Sequence, residues 1–185
     1  MTAVRALSFV ALAAVAACGD GLGPPNWNAT PVTSVIYSLS RPELIGQPSA
    51  YDFVNLRRVI VEAPGATGGW DMALSEANGE MVFLPAGLFP GIGDEVLIAE
   101  TSHRTLAAAR EAPADTSEYS RGPVPVREDA VYIVRSRVAT CTTFGSGPYY
   151  GKFQVLSIDV AGGSIELAVV RNSFCNNRDL IPPEN

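Results

Sequence analysis

The chain has 185 residues, 47% of them hydrophobic and 17% charged, with 13 basic against 19 acidic residues and a net charge of −6. That length suits a single domain with a sizeable core, and the composition is that of a globular chain, not a disordered one. An acidic chain argues against nucleic acid and anionic lipid as partners, because both reward clustered basic residues, and no run of five like charges marks an interaction tail.

A basic start with Arg5 leads into the nearly uncharged run Ala6 to Ala17, ALSFVALAAVAA, which is the pattern of an export signal. It is too short to cross a hydrocarbon core, which takes ~20 helical residues. The ending Val15-Ala16-Ala17-Cys18 resembles a bacterial lipobox, which implies cleavage before Cys18 and acylation of its thiol. Two or more acyl chains would hold the mature chain durably on a lipid bilayer, where one chain binds only marginally. Gly19 stands where lipoproteins retained at the inner membrane tend to carry aspartate, so the expected address is the outer membrane, on its cell-surface or periplasmic face. Loss of residues 1–17 removes one arginine and leaves 12 basic against 19 acidic residues, a balance of −7.

Residues 18–34 are rich in Gly, Pro and Asn and read as a tether, with Trp27 a lone aromatic expected to dock nowhere. Residues 35–178 form the expected domain and 179–185 a tail. The stretch Tyr51 to Glu62 is rich in β-branched and aromatic residues and stops at APGATGG. Trp70 to Leu74 and Glu80 to Leu84 flank Asn78-Gly79, a turn-forming pair, and read as a hairpin. The stretch Asp94 to Arg110 differs: alanine and leucine are frequent, acidic residues open it, Glu100 precedes Arg104 by four, and Arg110 closes it. That pattern predicts a helix. Glu111 to Val126 carries three prolines and reads as a surface excursion.

From Ala130 to Asn172 three alternating runs follow, with Gly162-Gly163 between the last two, the signature of an antiparallel meander. The fold class expected is therefore mainly β, with antiparallel sheets ending in a three-stranded meander and one helical insertion. Cys141 and Cys175 close the first and third of these strands at the same end of the sheet. With Cys18 acylated they form an even pair in an oxidising compartment, which favours a disulfide. Sequential strand order would set them ~9–10 Å apart, beyond the ~7 Å limit for a bridge. Either the loop TTFGSG folds Cys141 over the end of the middle strand, or the strand order is not sequential.

No constellation for catalysis is present. His103 is the sole histidine, a disulfide-bonded Cys141 cannot act as a nucleophile, and the carboxylates show no paired spacing. The stretch PAGLFPGIGDE lacks the lysine of a phosphate loop, and the usual metal-ligand spacings are missing. A non-catalytic binding module is the expectation, with no enzyme activity, resident metal or nucleic-acid partner.

The stretches YDFVNLRRVIVEAPGATGGWDMAL and YIVRSRVATCTTFGSGPYYGKFQVLSIDVAGGSIELAVV are similar to the HmuY-like lipoproteins, with Tyr51, Phe53, Trp70, Asp71, Ala73, Tyr150 and Lys152 at matching positions. The resemblance covers about half of the mature chain. It implies an all-β, lipid-anchored protein that captures haem and passes it to an outer-membrane receptor. That family's haem capture uses a pair of axial histidines, whereas this chain offers His103 alone, with Met81 and Met72 as thioether candidates. Met72 sits inside the Trp-Asp motif and reads as core. Trp70 and Asp71 read as structural, the indole filling the core and the carboxylate accepting hydrogen bonds. On the expected helix His103 shares a face with Ala99, Leu106 and Ala107, which favours a packed histidine. Two functions remain open: capture of haem or another small apolar ligand, and a structural or protein-interaction role on the same scaffold.

Overall fold

The structure, a computed structural model, describes residues 27–90, 95–141 and 145–183. The stretch read as an export signal and Cys18, the expected lipidation site, lie outside them. In chain order the described strands are β1 (Val32–Tyr37), β2 (Ala50–Asp52), β3 (Arg57–Val59), β4 (Met72–Ala77), β5 (Glu80–Pro85), β6 (Leu97–Glu100), β7 (Val124–Pro125), β8 (Val131–Thr140), β9 (Ser146–Asp159) and β10 (Ser164–Arg171). They pair into two five-stranded antiparallel sheets, ordered β1-β10-β9-β8-β6 and β3-β2-β4-β5-β7. Buried side chains from both sheets, among them Ile36, Tyr132 and Phe153 from one and Tyr51, Met72 and Phe83 from the other, interdigitate into one core, so the domain is a mainly β sandwich. Phe153 is its hub: it stacks on Tyr132 at 5.1 Å and meets Phe83 edge-on at 5.1 Å.

The hairpin of β4 and β5 turns at Asn78 and Gly79, both with positive φ, as a tight two-residue turn requires. The turn from β9 to β10 is longer than its glycine pair suggests, running over residues 160–163, with Asp159 accepting the Gly162 N–H at 2.8 Å. The Tyr51 to Glu62 stretch is a hairpin of two short strands, because Leu56 takes a positive φ between them.

The expected helix from Asp94 to Arg110 does not form. Asp94 is outside the described residues, Leu97–Glu100 is strand β6, and the rest is loop with one 3-10 turn, Leu106–Ala108. The physical reason is tertiary. Val96, Leu97, Ile98 and Ala99 are all buried, a continuous apolar run that suits an edge strand covered on both faces, and β8 offers it a ladder from Tyr132 to Arg135. The helical insertion thus reduces to 3-10 turns.

The outer face of the β8-β9 sheet carries a second apolar cluster: Leu97, Ala99, Ala112, Tyr119, Ile133 and Leu180. The excursion and the chain's end cover it. Leu180, in the stretch read as a tail, is fully buried and its N–H donates to Arg110 O at 2.8 Å, while Arg178 pairs with Glu111 at 2.6 Å. Trp27, in the stretch read as a tether, is buried too.

Cys141 and Cys175 are joined, with Cα atoms 5.7 Å apart, although β8, β9 and β10 lie in sequential order. It is the segment after β10 that crosses. Asn172 and Asn176 donate their N–H groups to Tyr150 O and Pro148 O, carrying the chain over the start of β9. Gly147 makes room there, since a Cβ at that position would stand 2.2 Å from the Asn176 side chain.

Candidate functional site

Among the described residues, a concavity opens at one end of the sandwich, between the β4–β5 hairpin, the chain leaving β7 and the end of β9. It encloses about 370 Å³ and its wall includes Met81, Val126, Ile158 and Val160 together with the charged Glu76, Glu80 and Arg127, a size within the ~300–1,000 Å³ of small-ligand sites. Its backbone is held firmly. Val126 N–H donates to Met81 O at 2.9 Å. The Tyr132 hydroxyl donates to Pro125 O at 2.8 Å and accepts from Arg127 N–H at 3.0 Å. Burial pushes that phenol up to about 12, so it stays a donor at any physiological pH.

A neighbouring cavity of about 300 Å³ is polar, lined by Glu100, Thr101, Ser102, His103, Arg104 and Glu128, and Arg127 stands in the walls of both. Arg127 Nη1 is tied to Glu100 Oε1 at 2.7 Å. His103 is exposed on the loop after β6, its backbone N–H donating to Thr101 Oγ1 at 3.2 Å, so it is not the packed helical residue expected. Met81 belongs to the apolar cavity and His103 to the polar one. The fold thus makes them neighbours across Arg127 without bringing them to one centre, and Met72 is fully buried in the core.

The motif positions Tyr51, Phe53, Trp70 and Ala73 are core residues, and Tyr150 packs against the second cluster. Asp71 is fully buried between the sheets: its carboxylate accepts the Phe53 N–H at 2.7 Å and the Arg137 N–H at 2.9 Å. A bulge in β8 between Arg135 and Val138 makes this possible. There the Ser136 hydroxyl accepts the Tyr149 N–H at 2.8 Å in place of a ladder carbonyl, and the Arg137 guanidinium turns inward. Its Nη1 lies 2.9 Å from Asp71 and its Nη2 2.9 Å from Asp52, whose side chain also bonds Asn55 and Arg57. Burial raises Asp52, but the Asn55 bond and the Arg137 charge outweigh it and hold the carboxyl below the usual range. For the more deeply sealed Asp71, burial outweighs Arg137 and the carboxyl stays above that range.

Lys152 is also buried. Its Nζ donates to Leu106 O at 2.6 Å and Ala109 O at 2.8 Å, pinning the Leu106–Ala108 3-10 turn to β9. Burial, with the charge of Arg110, lowers its pKa to about 8. These buried charges are structural, since each is consumed by a partner on another element. Arg127 and Arg137 escaped the sequence reading because only tertiary contact distinguishes them from other arginines. No protein-family model matches the chain, and no curated protein matches it.

Proposed function

We propose that this chain is a non-catalytic binding module of the bacterial envelope, anchored through acylated Cys18, that takes a small apolar ligand into the cavity beside Met81. The observation that carries the reading is the cavity itself, whose lining joins the apolar Met81, Val126, Ile158 and Val160 to a few charged groups, Glu76, Glu80 and Arg127. Its position supports the reading as well. Strand β1 enters opposite Val169 and ends opposite Ser164, so the chain joins the domain at the end away from the cavity. A tether at Val32 would leave the cavity mouth facing outward.

Haem is the first ligand to try, on the resemblance to HmuY-like lipoproteins and on the thioether of Met81 in the cavity wall. Hemin is titrated into the full chain and into Met81→Leu and His103→Ala variants, followed by visible absorption. A saturable Soret shift that Met81→Leu alone removes supports haem. A spectrum equal to that of free hemin, with an apolar naphthalene dye still bound and displaced from the parent by competing apolar compounds, narrows the ligand to a non-haem one. Failure of both overturns the small-ligand reading. A protein-interaction role is the second reading, favoured by the separation of His103 and Met81 into different cavities.

A further inference from the structure

The two most exposed large apolar residues of the described chain, Ile45 at 70% and Val160 at 63%, stand on adjacent turns at the cavity end of the sandwich. Single exposed hydrophobics are ordinary, and turn apices are the usual place for Gly, Asn and Asp. Here two such turns are clamped together. Arg41 donates to Glu76 Oε1 at 2.6 Å, to Ala161 O at 2.7 Å and to Val160 O at 2.6 Å. At Gly163 an added Cβ would fall 2.7 Å from Arg41 Cδ and 3.1 Å from Leu44 Cδ1, so the turn carrying Ile45 is seated on the turn carrying Val160. The apolar patch is therefore presented rigidly, which lowers the ordering cost of binding.

The charge left after pairing beside the patch is acidic. Arg41 is neutralised by Glu76 and Arg127 by Glu100, whereas Glu43, Glu80 and Asp159 are exposed and make no ion pair among the described residues. An apolar centre with an unbalanced acidic rim matches a segment that carries apolar residues and basic ones.

We propose that this patch docks a basic, amphipathic segment of a partner protein. The inference deepens the protein-interaction reading; Val160 and Glu80 also stand in the cavity wall, so Met81→Leu, which alters that wall without touching the patch, separates peptide docking from the small-ligand reading.

The probe is a short fluorescein-labelled peptide of alternating leucine and lysine, titrated by anisotropy into the full chain, with a leucine–glutamate peptide as control. Three variants separate the contributions: Ile45→Ser with Val160→Ser, Glu43→Gln with Glu80→Gln, and Met81→Leu. The double serine variant, which leaves the charge unchanged, is expected to weaken binding at least tenfold. The double glutamine variant should weaken it and flatten its salt dependence, and Met81→Leu should leave it unchanged. Equal binding by the parent and the double serine variant overturns the proposal, as does equal binding of the acidic peptide. Concentration-dependent dimerisation lost in the double serine variant would assign the patch to a second copy instead. Binding to phosphatidylglycerol vesicles lost in that variant would assign it to lipid, and either result overturns a protein partner. A hemin or dye titration that fails while peptide binding survives would sink the small-ligand reading alone.

Discussion

Replacing Arg137 with methionine keeps most of its side-chain volume and removes the one cation facing both Asp52 and Asp71. In the native fold its two Nη atoms lie 2.9 Å from carboxylates that are both fully buried. Without it, Asp71 keeps only its backbone donors and Asp52 keeps Asn55 and Arg57, while two like charges share the space. Removal of one partner from a buried pair costs about 3–5 kcal/mol, or about 6–20 °C in Tm for a domain of this size. The cost depends on pH with a definite sign. Asp52 has a folded pKa below its unfolded value, so the parent gains stability above the unfolded pKa of ~3.9 and loses it as pH falls through the folded pKa. Asp71 has a folded pKa already above its unfolded value, and loss of Arg137 raises it further, so the variant recovers stability as acid protonates it. By pH 4.5 the Asp71 effect shrinks the penalty, and the Asp52 effect adds to that reduction only below ~3.9. Urea unfolding of parent and variant at neutral pH and near pH 4.5 measures it. A loss below ~1 kcal/mol, or a difference that does not narrow at the lower pH, refutes the reasoning.

Three further outcomes are expected. Cys141→Ser with Cys175→Ser opens a bridge across 34 residues and should lower the unfolding free energy by about 3–4 kcal/mol; two titratable thiols in the unreduced, unfolded parent would contradict the bridge. At Gly151 a Cβ would meet Val170 O at 3.0 Å, Phe53 Cδ1 at 3.3 Å and Val134 Cγ1 at 3.4 Å, so Gly151→Ala should cost about 1–3 kcal/mol in a denaturation midpoint. Lys152, with a folded pKa of about 8 against ~10.4 unfolded, releases its proton on folding at alkaline pH. Unfolding free energy should therefore rise between about pH 8 and 10, and Lys152→Met should remove that slope.

The parts of the fold legible beforehand are those whose signal is local. The β4–β5 hairpin announces itself through Asn78-Gly79, whose positive φ values few other residue pairs accept. The meander does so through β-branched and aromatic runs separated by a glycine-containing turn. The pairing of Cys141 with Cys175 follows from counting thiols under the expected export, and the structural roles of Trp70 and Asp71 from their chemistry. What tertiary structure alone decided involves competition between distant segments. Val96 to Ala99 could wind as a helix or extend, and the free edge of β8 settles it. The crossing that brings Cys175 to Cys141 depends on Gly147 lying under Asn176, 29 residues further along the chain. His103 and Met81 carry no mark of which cavity they line, and Arg137 none of its buried partners, because those facts arise from how the two sheets meet. Hydrogen bonding and hydrophobic periodicity act within a strand and its turn. Burial and charge pairing are settled only once the strands have stacked.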